Sequence, residues 1–212
     1  MDIDYKQGLT LYLILLASLS VHEWAHAFVA DKLGDHTPRS QGRVTFNPIA
    51  HIDPIGTVFI PLFMILFSPG FAIIGWGKPV MVNPLNFRNR VRDDILVSMA
   101  GPASNVVICL LMVFIGGVLL KFMPAIAGLL GQVILLNCVL IIFNMIPIPP
   151  LDGSHLLKHA VGMRDETYLN FARWGFLILI ILVNIPAFRQ VFGVAIYLSA
   201  DFFYKLMLLI VG

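Results

Sequence analysis

Leu9 to Ala30 forms one long apolar run, and this run constrains the fold more than any other feature of the chain. At 1.5 Å per residue, about 22 helical residues reach across a hydrocarbon core of ~30 Å. Backbone polar groups in lipid must be satisfied within the segment itself, so such a run is a helix. Two more runs of spanning length follow, Ile95–Leu120 and Ala125–Ile146, the latter dissolving into prolines by residue 150. The whole chain is 58% hydrophobic and only 12% charged, about half the charged fraction of an ordinary soluble domain. These features predict an all-α polytopic membrane protein of five or six transmembrane helices, folded as a single domain over residues 1–212, with the lipid bilayer as its main solvent. The net charge of +2 comes with no basic block, so no nucleic-acid partner is expected.

The remaining segments are shorter. Residues 55–76 are apolar but broken by Ser68-Pro69-Gly70, which favours a re-entrant or hairpin segment over a clean crossing. Residues 39–46 have a weak strand pattern with Gly42 as a turn signal. Residues 154–173 are polar and read as a surface helix, followed by accessory spans at about 174–187 and 191–211. Cys109 and Cys138 both sit in apolar runs and read as reduced packing residues. The N-terminal MDIDYKQ is too acidic for a signal peptide, so the first run is expected to persist as a transmembrane helix over about 9–30.

Within that first helix lies His22-Glu23-Trp24-Ala25-His26. On a helix, His22 and His26 are one turn apart on one face, with Cβ atoms about 5–6 Å apart. Two imidazoles at that separation can bind one Zn²⁺, and Glu23 can serve as general base toward a metal-activated water. Histidines packed without a metal are the competing explanation, but an intramembrane imidazole pair needs a partner.

A catalytic zinc has three protein ligands plus water. Asp152 is the best third candidate. It follows Pro147, Pro149 and Pro150, which break the preceding helix, and Gly153 then permits a tight turn. For Asp152 to reach the depth of His22 and His26, the spans at 9–30 and 125–150 must cross in the same direction. That requires 55–76 to make no net crossing. The positive charges agree. This topology groups Lys32, Arg39, Arg43, Lys78, Arg88, Arg90, Arg92, Lys158, Arg164 and Arg173 on one side, against Lys6, Lys121 and Arg189. The N-terminus is then outside and the metal site faces the cytoplasm of a cell membrane.

Other polar residues compete less well. His155 and His159 are one turn apart but lack an intervening glutamate, and read as surface residues or as residues behind the ligands. His51, Asp53 and His36 are loop residues without ligand spacing. Asn144 could donate a hydrogen bond to an oxyanion or bond to a neighbouring helix. For Asn105 the structural role is favoured.

Taken together, His22-Glu-Trp-Ala-His26, Gly101-Pro-Ala-Ser-Asn105 and Asn144-Met-Ile-Pro-Ile-Pro-Pro-Leu-Asp152-Gly153 resemble the site-2 protease family of intramembrane zinc metalloproteases. The resemblance covers the three-helix core at about 9–30, 95–120 and 125–150. It implies one zinc on His22, His26 and Asp152, Glu23 as catalytic acid/base, and Asn144 near the substrate or oxyanion. It also implies a membrane-associated β-element at 39–46 and single-span membrane proteins as substrates. The chain resembles a compact form without a PDZ or cystathionine-β-synthase-like domain. The rival reading is a non-catalytic metal transporter or sensor, which needs ionisable residues spread along a path on several spans.

Overall fold

The computed structural model describes residues 5–67 and 75–211. These residues fall into two compact units, one ending at Asp93 and the other beginning at Asp94. Among the described residues, five helices are long and apolar enough to cross a membrane.

The first unit is built on α1, Tyr5–Lys32. Lys32 lies in its last turn, where a cation complements the negative end of the helix dipole. Gly34 closes the helix at φ +109°, and the Asp35 amide turns back to the Ala30 carbonyl at 3.0 Å. That left-handed position is strained for any residue with a Cβ. A short α2, Thr37–Ser40, follows. Asp53 then starts a wide helical turn, Pro54–Phe59, by accepting from the Ile55 and Gly56 amides. The turn continues as α3, Ile60–Phe67.

Residues 54–67 are apolar and helical but too short to span alone. Half of the expected 55–76 excursion can therefore be followed; residues 68–74 lie outside the described residues. Beyond them the chain from Gly75 to Asn83 has no regular secondary structure.

The β-element expected at 39–46 does not form. Residues 39–40 end α2, and 41–46 are turns and bends, with Gly42 at φ +68°. No strand occurs among the described residues. The reason is tertiary. Arg43 and Phe46 are drawn to opposite tasks, Arg43 bonding loop carbonyls and Phe46 stacking on Trp24 at 4.1 Å.

The second unit begins within α4, Arg90–Leu111, which runs through a wide turn, Met112–Gly116, into α5, Gly117–Phe122. It then contains α6, Ala127–Asn144; α7, Gly153–Ala160; α8, Asp165–Asn184; and α9, Pro186–Val211. Its core joins Cys109, Val113, Leu120, Leu130, Ile134, Cys138 and Met207. The two cysteines are free and buried, as their apolar settings predict. Phe114, Ile115, Val118 and Leu119 remain exposed on the other side of the helix, as lipid-facing residues do.

The expected surface helix at 154–173 is divided. Its first part is α7, and α8 begins at Asp165 rather than Trp174. Asp165 and Glu166 occupy the first turn of α8, where acidic side chains favour a helix start. Pro186 opens α9, a position where its missing N–H costs nothing.

Candidate metal centre and peptidase site

In the first unit, α1 carries His22, Glu23 and His26 in a single regular turn. Both histidines are buried, at 3% and 8% exposure. Their Nε2 atoms stand 3.1 Å apart, with the rings nearly perpendicular at 78°. Two imidazoles on one tetrahedral zinc, each at about 2.1 Å, keep their nitrogens about 3.4 Å apart. The donor pair therefore fits a shared ion with only a small adjustment. Without one, the contact can carry a single N–H···N proton.

Trp24 points away from the pair, stacked between Phe28 at 5.1 Å and Phe46 at 4.1 Å. Glu23 faces the segment 75–83: its Oε2 accepts from the Val80 amide at 3.2 Å. A Cβ on Gly77 would lie 3.3 Å from the Glu23 Cγ and 3.4 Å from its Oε1. The backbone of this segment thus rests directly on the glutamate.

The loop histidines and Asp53 are engaged in structural tasks. His36 Nδ1 lies 2.9 Å from Asp31, which Arg39 also grips at 2.7 and 2.5 Å. His51 Nε2 sits 2.9 Å from the Thr45 carbonyl, and the ring is buried. Asp53 caps the turn at Pro54.

In the second unit, Asp152 immediately precedes α7. Its loop, Met145–Leu151, cannot continue α6 because of its prolines, and it is locked by close packing. A Cβ on Gly153 would fall 2.3 Å from the Met145 carbonyl oxygen, and one on Gly175 would fall 2.0 Å from the Pro149 carbonyl oxygen. Ser154 Oγ donates to Leu151 O at 2.6 Å and pairs with the Tyr168 hydroxyl at 2.8 Å.

Asn144 donates to Leu140 O at 2.9 Å, one turn back on its own helix. Asn105 donates to Asn137 Oδ1 at 2.8 Å, so the structural role favoured from sequence is the observed one. His155 and His159 are not simple surface residues. Both reach Asp94 Oδ2, at 3.1 and 2.6 Å, and Asp94 is only 3% exposed. Sequence reading missed Arg43, Asp94 and the Val80 amide, because their partners are remote and loop residues carry no periodicity.

Helices of this kind, with an H-E-x-x-H face buried on one of them, define a membrane-embedded metallopeptidase. A model of peptidase family M50 matches residues 123–183. The protein named "Putative zinc metalloprotease YwhC" from Bacillus subtilis (strain 168) is 38% identical over 197 residues, covering 86% of this chain and 84% of the relative. "Putative zinc metalloprotease Rip2" from Mycolicibacterium smegmatis is 31% identical over 192 residues, covering 88% and 71%. Its namesake from Mycobacterium tuberculosis (strain ATCC 25618 / H37Rv) is 31% identical over 195 residues, covering 88% and 71%. No solved structure gives a significant match. The chain belongs to peptidase family M50, the site-2 protease family of zinc metalloproteases, and it is a multi-pass membrane protein.

Proposed function

We infer that the protein is a zinc-dependent intramembrane endopeptidase that cuts within or near the transmembrane segments of membrane-anchored proteins. The observation that carries this reading is the buried His22–His26 pair, with Nε2 atoms 3.1 Å apart and Glu23 in the same turn. Asp152 is the third ligand in this reading. Its carboxylate supplies the third protein donor that a catalytic zinc takes beside two histidines.

A zinc ion bound there supplies Lewis acidity, lowering the pKa of a water and polarising the scissile carbonyl. The chain supplies the rest. Oε2 of Glu23 is engaged by the Val80 amide, so Oε1 is the atom that takes the water proton. Glu23 then delivers that proton to the leaving amine. Asn144, at the C-terminal end of α6, offers an amide N–H to the developing oxyanion by turning from Leu140 O. A helical substrate hides its peptide bonds, so the segment to be cut must unwind first. In this reading the protein lies in the cell membrane, with the site opening toward the cytoplasm.

Glu23→Gln is the direct test. It should retain zinc and abolish cleavage of a membrane-anchored substrate in reconstituted vesicles. Undiminished cleavage by that variant would rule out the mechanism, and zinc flux without proteolysis would favour a transporter.

A further inference from the structure

We propose that Arg43 is a positioning residue for Glu23, acting through the segment 77–80. This rests on the reading of Glu23 as the general base. Arg43 is 3% exposed, in a loop outside the membrane spans. Its Nη1 donates to the Ala50 carbonyl and its Nη2 to the Lys78 carbonyl. Burying a guanidinium is costly unless its donors are bonded; Nη1 and Nη2 are bonded while Nε is not, and the two bonds tie the 43–50 loop to the segment lying over Glu23. Burial lowers the Arg43 pKa, and the nearby Glu23 carboxylate opposes that.

The Lys78 residue is held from both sides. Its N–H donates to the His51 carbonyl at 2.9 Å, and its C=O accepts from Arg43. One residue, Pro79, separates that anchored carbonyl from the Val80 amide. The Lys78–Pro79 peptide is planar and the Pro79 φ is fixed by its ring. A single soft torsion, the Pro79 ψ, therefore stands between the Arg43 anchor and the N–H that grips Glu23 Oε2. Upstream, Trp76 is pinned as well. Its amide donates to Gly56 O at 3.2 Å, and its carbonyl accepts from Thr57 Oγ1 at 2.7 Å. Gly77, between these anchors, leaves just enough space for the glutamate. Fixing Oε2 in this way points Oε1 in one direction. That is the geometric requirement on a general base, and small errors in it cost rate rather than binding.

The test uses the full chain, reconstituted with a single-span substrate, with kcat, KM and bound zinc measured together. Arg43→Ala should lower kcat by about 10- to 100-fold, the usual cost of losing a residue behind the reacting groups. KM should stay within about threefold and zinc content should be unchanged, the signature of a lost transition-state contribution. Arg43→Lys should recover part of that loss, since an ammonium keeps the charge but not the fork that spans two carbonyls. Gly77→Ala, which presses a methyl on the Glu23 stem, should give the same kcat-only defect. Wild-type kcat in both Arg43→Ala and Gly77→Ala overturns the proposal, as does loss of zinc in parallel with kcat. If Arg43→Ala does not fold, Gly77→Ala and Arg43→Lys decide the matter by the same readouts. Equal cleavage by wild type and Glu23→Gln instead overturns the general-base reading itself.

Discussion

His22 and His26 present their Nε2 atoms to each other at 3.1 Å inside a regular turn of α1, with both rings buried. Two imidazole nitrogens this close leave room for one cation between them and little else. Removing zinc with a chelator should therefore abolish cleavage, and added Zn²⁺ should restore it. His26→Ala should lose zinc outright, read as metal per protein after dialysis. Metal that binds only the folded state raises stability by mass action, so the stripped protein should also melt at lower temperature than the loaded one.

Gly175 of α8 crosses the Pro149 carbonyl so closely that a Cβ would lie 2.0 Å from the oxygen. Gly193 of α9 has nothing within 4 Å of the same position. Gly175→Ala should therefore cost about 1–3 kcal/mol through overpacking and disturb the loop that carries Asp152. Gly193→Ala should leave stability and activity near wild type. Melting curves and zinc content of the two variants check the contrast, which a general intolerance of glycine replacement would erase.

Asp35 is fully buried and accepts from the Thr37 amide and hydroxyl at 3.1 and 2.6 Å, the Asn83 amide at 2.7 Å and the Asn86 side chain at 2.8 Å. Burial pushes its pKa up, but these donors outweigh burial and hold it below 3.8. A depressed folded-state pKa gives stability that is present above the unfolded value and is lost as pH falls through the folded one. Asp35→Asn should flatten the acid limb of the melting profile below about pH 4. Asp35→Ala, which leaves several donors without an acceptor, should cost on the order of 3 kcal/mol at neutral pH.

His51 has the same sign in a higher window. Burial lowers its pKa below 6.5; the Thr45 carbonyl opposes this and Arg43 adds to it. The folded state keeps the ring neutral, so stability is lost as pH falls below about 6.5, where the unfolded chain takes up the proton. Replacing His51 with Gln should remove that pH-dependent part. Melting temperatures across about pH 5 to 7, compared with wild type, measure it.

Asn105 on α4 donates a 2.8 Å hydrogen bond to Asn137 Oδ1 on α6, and Asn137 also donates to Val133 O at 2.8 Å. Interhelical bonds of this type are worth about 0.6 kcal/mol and at most ~1.7 kcal/mol within membranes. Asn105→Leu should accordingly lower stability by about 1 kcal/mol while sparing kcat. A large kcat loss at full stability would instead assign Asn105 to the reaction.

Much of this protein was legible before any coordinates. The spans follow from apolar length, because a chain in lipid has no other way to satisfy its backbone. The His22–Glu23–His26 face follows from helical periodicity, because residues one turn apart meet whatever the rest of the chain does. The break at Pro147–Pro150 before Asp152 follows from the missing proline N–H. Sequence alone failed where the partner lies far along the chain. The strand expected at 39–46 gave way to turns because Arg43 and Phe46 answer to Lys78, Ala50 and Trp24. The Val80 amide on Glu23, and Asp94 beneath His155 and His159, are likewise choices of the fold. Periodicity encodes what neighbours on one helix can do, whereas a loop's polar groups take whichever distant partner the packing brings within 3 Å or so, and only the tertiary structure decides which that is.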